Sequence, residues 1–338
     1  MEKGSIVKRN AGLDVLKLIC AFLVICIHAT FAARDCLEPV TRAAVPVFFM
    51  ITGWFYADER ARQKKQIFKV LWIIAVACTF YALWKVLMTL RAGDSVRELI
   101  VAWLEPKALV KLILFNQTVV STHLWYLFAL LYVLIIAAVL GERGRSRVYW
   151  MIPLLLAAAV ALGAYSPVLL GRKLSTVYGR NFLFTGLPCF LLGELLCQKR
   201  EKLRFNSLFV LAMLVLSVVL ATAERTYLIN RTGYTDAELY ICSVFIAISL
   251  FLLACNADSI GSGPVLSRLA RWGEAYTLGI YILHPAVIDL IQMLFGGLFS
   301  RSYTAAKLYY YTAPLVLLIF AAVLTAMLKA VRKWLPSR

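Results

Sequence analysis

The stretch Leu13–Ala29, LDVLKLICAFLVICIHA, is apolar at almost every position and yet contains an aspartate, a lysine and a histidine. With its apolar neighbours it is long enough, at a rise of about 1.5 Å per helical residue, to cross a bilayer core of roughly 30 Å. Ionisable side chains in such a segment are costly and usually face the interior of a helix bundle, where they mark a functional path. The stretch therefore predicts a membrane-spanning helix with a polar stripe.

The rest of the chain repeats this apolar pattern. Hydrophobic residues make up 62% of the sequence, against roughly 45–50% in an ordinary soluble domain. No break in composition divides the chain, and most connections are short. The sequence predicts one all-α membrane domain over residues 1–338, a polytopic helix bundle of about ten transmembrane helices packed as antiparallel neighbours. The predicted spans are 12–33, 43–57, 67–90, 124–140, 149–165, 181–197, 205–222, 239–255, 274–295 and 312–331.

The net charge of +18 is explained by topology and does not indicate nucleic acid as a partner. Cytoplasmic loops of membrane proteins collect Lys and Arg, and the basic clusters fall at every second connection between predicted spans, so that they share one side of the membrane. The distribution predicts a multi-pass protein of the plasma (cytoplasmic) membrane with both termini in the cytoplasm. The basic clusters on the predicted inner side are ERARQKKQIFK, GERGRSR, QKREKLR and KAVRKW.

The longest predicted connection, residues 91–123, has apolar side chains at helical spacing between charges. This pattern favours amphipathic helices that lie at the outer interface or cap the bundle. An eleventh span is the alternative, and it would have to accommodate Glu105 and Lys107.

Three polar residues of the first span share one helix face. Lys17 and His28 are eleven residues apart, close to three turns of a helix, and Asp14 precedes Lys17 by three. Lys17 has a second interpretation, because its long side chain can snorkel to the inner interface beside Asp14. His28 also has a second interpretation, as a neutral histidine that is hydrogen-bonded to a backbone carbonyl. Histidine is also the side chain best suited to proton transfer near neutral pH.

Metal binding is not predicted. The chain has three histidines and eight cysteines, and none of them stands at the spacing of a metal-ligand motif. Most of the cysteines fall inside predicted spans, where they are expected to pack as small apolar residues.

Several polar residues fall at the predicted outer ends of different spans. Each of them alone is explained as an interfacial anchor. Because all of them are predicted at the same level of the membrane, however, they predict one polar site on which they converge. These residues are His28, Arg42, His123, Arg180, Asn181 and Glu224.

Five short motifs, in this order along the chain, resemble the acyltransferase-3 family of integral membrane acyltransferases. The family often has an arginine eleven residues before the first histidine, with ten residues between them, and this chain has Lys17 at that position. The motifs are LDVLK followed by His28, VPVFFMITGWF from Val45 to Phe55, HLWYL from His123 to Leu127, Arg180-Asn181 before PCFLLG, and YILHP from Tyr281 to Pro285.

The resemblance implies transfer of an acetyl or similar acyl group from an acyl-CoA to a hydroxyl of an extracytoplasmic sugar, polymer or small acceptor. It implies acyl-CoA as a co-substrate and no bound cofactor. His28 and Glu224 are the expected catalytic residues, the first as base or acyl acceptor and the second as its orienting acid. Asp14 and Lys17 are expected to bind the donor. The residues expected to bind substrate or the oxyanion are Arg42, His123, Trp125, Tyr126, Arg180, Asn181, Tyr281 and His284.

Within the family, the motifs look most like the membrane domain of the vancomycin-resistance serine racemases. That likeness implies a fused or associated cytoplasmic racemase domain as a partner. It also supports an alternative function, import of serine without acyl transfer. A transporter needs intramembrane charges and a broken helix just as an enzyme does, so these features leave both functions open. A non-catalytic anchor fits poorly with so many polar groups at one level.

Overall fold

The computed structural model describes residues 10–58, 63–201, 205–235, 237–257 and 263–334. Helices account for most of this part of the chain, and no strand occurs in it. The helices are α1 (Ala11–His28), α2 (Arg34–Thr41), α3 (Ala44–Asp58), α4 (Gln63–Ala92), α5 (Val96–Leu104), α6 (Pro106–Phe115), α7 (Trp125–Arg147), α8 (Met151–Leu162), α9 (Ser166–Leu170), α10 (Leu187–Gln198), α11 (Ser207–Thr232), α12 (Ile241–Ala257), α13 (Pro264–Arg301) and α14 (Tyr303–Trp334).

The all-α membrane fold predicted from the sequence is confirmed. Among the described residues, seven helical segments are long and apolar enough to cross a bilayer. Three shorter apolar helices, Met151–Leu162, Phe182–Gln198 and Ile241–Ala257, coincide with the remaining predicted spans. The lipid-facing character is plain on α4, where Phe68 and Trp72 are each 71% exposed. The orientation of the termini stays a prediction.

The connection between α4 and α7 forms two short helices, so it contains no eleventh span. Helix α5 has nine residues and α6 has ten, and neither has a buried residue. The chain breaks between them because Glu105 is followed by Pro106, which starts α6. Asn116 then ends α6 in the left-handed conformation, with φ of 51°, which asparagine tolerates better than most residues.

Two compact units make up the structure. We call the first the His28 unit; among the described residues it comprises those of Lys8–Phe48, Phe205–Thr222 and Cys242–Arg338. We call the second the His123 unit; among the described residues it comprises those of Phe49–Arg204 and Ala223–Ile241. The prediction of a single membrane domain over the whole chain stays a prediction.

Glycines allow the helices of the His28 unit to approach closely. A Cβ atom built on Gly12 would lie 2.0 Å from the Ala254 carbonyl oxygen of α12, and one on Gly273 would lie 1.8 Å from the Asp14 carbonyl oxygen of α1. Small residues at helix contacts are typical of membrane proteins, because packing replaces the hydrophobic drive that lipid cannot supply. These contacts set the distance of α1 from α12 and α13.

We expect Gly273→Ala to destabilise the protein, although alanine is the better helix former. The added methyl group meets rigid backbone of α1, and overpacking of this kind costs about 1–3 kcal/mol. The matched control is Gly297→Ala in the same helix, where a Cβ atom has no neighbour within 4 Å. Thermal unfolding in detergent should show a lower midpoint for the first variant and an unchanged or higher one for the second. Equal midpoints would contradict this account of the contact.

Candidate active site

The His28 unit brings together two histidines that are far apart in the sequence. His28 is the last residue of α1 and its side chain is exposed. His284 lies inside α13 and is fully buried. Their ring centroids are 5.0 Å apart and the rings are tilted by 42°. We call them the histidine pair, in which the exposed imidazole of His28 lies against the buried imidazole of His284.

A backbone hydrogen bond fixes the protonation pattern of His284. Its Nδ1 lies 2.8 Å from the carbonyl oxygen of Tyr281. A carbonyl oxygen only accepts hydrogen bonds, so Nδ1 must carry the hydrogen and donate it. In the neutral ring the lone pair is then on Nε2. Tyr281 is itself buried and packs edge-on against Phe48, with ring centroids 6.4 Å apart.

Arg42, a predicted substrate-binding residue, is held by a carboxylate with which the sequence analysis did not pair it. Its Nη2 lies 3.2 Å from Oε1 of Glu38, four residues earlier, and both side chains are mostly buried. The Ser243 hydroxyl of α12 donates to the Pro39 carbonyl oxygen of α2 at 2.6 Å, so this hydrogen bond connects the two helices. The signal in the sequence is the i, i+4 spacing of Glu38 and Arg42, which places their side chains on one face.

The inner part of the predicted polar stripe is present on α1. Lys17 Nζ lies 2.9 Å from Asp14 Oδ1. Asp14 is buried and Lys17 keeps about a quarter of its side chain exposed. Because α1 is continuous from Ala11 to His28, Lys17 and His28 are about 16 Å apart along its axis. The donor-binding role of Asp14 and Lys17 stays a prediction.

The His123 unit contains a second polar cluster at the beginning of α7. His123 is buried, its Nδ1 lies 2.8 Å from the Ser121 hydroxyl, and the Tyr81 ring packs edge-on against it at 4.9 Å. The guanidinium of Arg180 lies over the Trp125 ring, 5.5 Å from its centroid.

Further contacts of this cluster hold its aromatic and charged residues in place. Arg180 Nη1 lies 3.3 Å from Glu238 Oε1. The ring of Tyr126 packs edge-on against Phe49, with centroids 4.8 Å apart. The sequence analysis did not pair Glu238 with Arg180.

Asn181 has a positioning role in this structure. Its side-chain oxygen accepts hydrogen bonds from the backbone N–H groups of Leu183 and Phe184, near the start of the π-helical turn Phe182–Gly186. Its amide nitrogen donates to the carbonyl oxygens of Val177 and Tyr178. All four of these hydrogen bonds join the amide to backbone groups, and a direct contact of Asn181 with an oxyanion stays a prediction.

Asn116 supports the same region from α6. Its side-chain oxygen accepts from the Phe182 N–H at 2.9 Å, and its amide nitrogen donates to the Trp125 carbonyl oxygen at 3.3 Å. The side chain thereby joins the start of α7 to the start of the π-helical turn. Pro188 follows this turn as the second residue of α10.

Glu224, predicted to orient the catalytic imidazole, accepts hydrogen bonds within the His123 unit. Its Oε1 is 3.0 Å from the Tyr165 hydroxyl and 2.8 Å from the Ile241 N–H. The second bond satisfies a backbone donor at the start of α12, where helices leave N–H groups without partners. The role of Glu224 toward His28 stays a prediction.

The predicted site residues thus fall into two groups. The prediction that both groups form one site at one membrane level stays a prediction. In the part of the chain that the structure describes, no three His, Cys, Asp or Glu side chains are arranged to hold a metal ion. The His28 unit holds Asp14, Lys17, His28, Arg42, Tyr281 and His284, and the His123 unit holds His123, Trp125, Tyr126, Arg180, Asn181 and Glu224.

Comparisons with known proteins identify relatives of this chain. The sequence model of one family, the acyltransferase-3 model described as an acyltransferase domain, matches residues 10–331. An amino-acid racemase from Enterococcus faecalis is 26% identical over 314 residues, which cover 85% of this chain. The matched region spans 42% of the length of that relative. No solved structure matches the chain.

Proposed function

The chain belongs to the acyltransferase-3 family, and from that premise we propose that it moves an acyl group from an acyl-CoA to a hydroxyl of an extracytoplasmic acceptor. Acetyl is the simplest acyl group for this reaction, and a sugar or polymer of the cell envelope is the acceptor class that we propose. The enzyme would act as a multi-pass protein of the plasma membrane, with acyl-CoA as co-substrate.

The observation that carries the proposal is the exposed His28 imidazole beside the buried His284, with ring centroids 5.0 Å apart. In the proposed reaction His28 removes the proton of the acceptor hydroxyl as the oxygen attacks the thioester carbonyl. The tetrahedral oxyanion then collapses, the carbon–sulfur bond breaks, and the imidazolium returns its proton to the CoA thiolate. Products are the acyl ester and free CoA.

Local electrostatics support His28 as the base. It lies in the last turn of α1, and the dipole of a helix favours a cationic side chain at that end. The charge that forms on the imidazole during proton transfer is therefore stabilised where it appears. Arg42 directly follows α2, the helix that packs next to α1, and it supplies fixed N–H donors for the developing oxyanion in this proposal.

At the other end of α1, the Asp14–Lys17 pair would meet the donor. Lysine acts as a point charge and lacks the planar fork with which arginine binds a phosphate bidentately. We therefore propose Lys17 as a phosphate contact of CoA that does not depend on a bidentate geometry.

A second candidate function is import of serine for a cytoplasmic racemase. The amino-acid racemase of Enterococcus faecalis, of which the match covers less than half, favours it. In that case the chain would work with a fused or associated racemase domain and would transfer no acyl group.

Reconstitution in liposomes separates the two functions. Purified protein would be given acetyl-CoA with a radiolabelled acetyl group on one side and labelled L-serine on the other, with empty liposomes as the control. Release of free CoA and transfer of the label to an added hydroxyl acceptor would support the acyltransferase. Uptake of serine without turnover of acetyl-CoA would overturn it in favour of the importer.

A further inference from the structure

Two prolines inside long helices of the His28 unit each release a carbonyl oxygen one turn earlier. Pro285 lies inside α13 and Pro314 inside α14. Proline has no backbone N–H, so it cannot donate to the carbonyl oxygen four residues before it. The oxygens deprived of their helical partner are those of Tyr281 and Tyr310.

The first released oxygen is the one that binds His284. The Tyr281 carbonyl oxygen lies 2.8 Å from His284 Nδ1, and both residues are buried. A buried carbonyl oxygen without a donor is costly, so the imidazole N–H takes the place of the missing backbone N–H. The neighbouring proline thereby makes the Nδ1–H form of His284 the one that satisfies the helix.

The second released oxygen binds the segment that follows His28. The Ala32 N–H donates to the Tyr310 carbonyl oxygen at 3.1 Å. Helix α1 ends at His28, so this bond anchors the chain four residues beyond the exposed imidazole. Pro285 thus acts on His284, and Pro314 acts on the backbone that follows His28.

We propose that Pro285 and Pro314 are positioning residues of the histidine pair. Pro285 holds His284 as the tautomer with hydrogen on Nδ1 and a lone pair on Nε2, and Pro314 fixes the backbone after His28. The functional part of this inference rests on the proposed function, but the tautomer is a property of the protein that can be measured without any reaction.

Nitrogen-15 NMR of histidine-labelled protein tests the first half. The chain has three histidines, so the ring signals can be resolved at an alkaline pH where imidazoles are neutral, and His284→Asn identifies the signals of His284. We expect nearly pure Nδ1–H tautomer in the unmodified protein. In Pro285→Ala a backbone N–H competes for the Tyr281 oxygen, and the Nδ1–H fraction should fall to roughly half because one hydrogen bond is a modest net preference.

Pro314→Ala is the matched control, because it releases the segment after His28 and leaves the Tyr281 oxygen untouched. It should keep the Nδ1–H tautomer of His284 and lower acyl transfer about tenfold or more, as a small misplacement of a catalytic group does. Pro285→Ala should lower acyl transfer to a similar extent and also change the tautomer.

Each contrary result overturns a defined part of the proposal. An unmodified protein without the Nδ1–H signal of His284, or a Pro285→Ala variant that keeps either that pure tautomer or full activity, would overturn the role of Pro285. Full activity in Pro314→Ala would overturn the role of Pro314. If the unmodified protein transferred no acyl group, the proposed function would fail while the NMR result remained readable, so the two failures are distinguishable.

Discussion

His28→Ala is expected to lower acyl transfer by about 10²- to 10⁴-fold, the usual contribution of a positioned general base. The remaining activity would come from binding both substrates next to each other and from the fixed donors around the oxyanion. Stability should change little, because the side chain is exposed at the end of α1. The measurement is the rate of labelled acetyl transfer in liposomes at saturating acetyl-CoA.

The matched control is Thr30→Ala, an exposed residue just beyond α1, which should keep the rate of the unmodified protein. Thermal unfolding of both variants shows that they fold. If a folded His28→Ala protein transferred acetyl at more than about a tenth of the normal rate, a general-base role would be excluded by its expected size.

The same variant distinguishes direct transfer from an acyl-enzyme. If His28 accepts the acyl group itself, incubation with labelled acetyl-CoA and no acceptor should leave label on the protein in amounts stoichiometric with the enzyme. His28→Ala should then remain unlabelled. Release of CoA only when an acceptor is present, with no labelled protein, would indicate that His28 acts as a base in a direct transfer.

The helices were the part of the fold that could be predicted from the sequence. Hydropathy alone located α4 and α11, because lipid as solvent imposes an apolar surface on a helix that must satisfy its own backbone. Hydropathy did not locate the helix ends equally well. The first predicted span continued to residue 33, but α1 ends at His28 and a separate short helix begins at Arg34.

The site was predicted in its residues and not in its pairings. His28 and His284 were both singled out, yet nothing in the local sequence places the end of α1 beside the middle of α13. Their contact depends on the close approach at Gly273, where a Cβ atom would lie 1.8 Å from the Asp14 carbonyl oxygen. Helix packing of this kind is decided by the whole unit, whereas the bond from His284 to Tyr281 was readable from the i, i+4 spacing of Tyr281 and Pro285.

A buried ion pair in the His123 unit was missed altogether. Arg145 Nε lies 2.9 Å from both carboxylate oxygens of Glu194, and its Nη2 lies 2.8 Å from Oε1. Both side chains are essentially inaccessible, with 2% and 0% exposed. Gly141, at φ 60° and ψ −179°, breaks α7 before Arg145, and Arg145 Nη1 turns back to the Ala137 carbonyl oxygen at 2.8 Å.

The sequence contains a signal for this pair. Glu194 is a lone carboxylate within the predicted sixth span, and an ionisable group in such a segment requires a partner. Its partner was hidden in the cluster GERGRSR, which topology alone explains. Only the break at Gly141 distinguishes Arg145 from its solvated neighbours, because it folds that residue back among the helices while Arg147 remains exposed.

Breaking this ion pair is expected to be strongly destabilising. Glu194→Gln and Arg145→Met each leave one charge buried without its partner, which typically costs 3–5 kcal/mol, roughly the stability of a marginal domain.

The double variant Arg145→Met/Glu194→Leu should recover most of the loss, because replacing both charges by apolar groups removes the desolvation cost together with the attraction. Thermal unfolding in detergent measures the effect, and Arg147→Met, an exposed cation two residues away, is the control and should behave like the unmodified protein. A double variant no more stable than either single one would show that the pair holds α7 and α10 through its directional hydrogen bonds, and a single variant of unchanged stability would contradict the burial seen at Glu194.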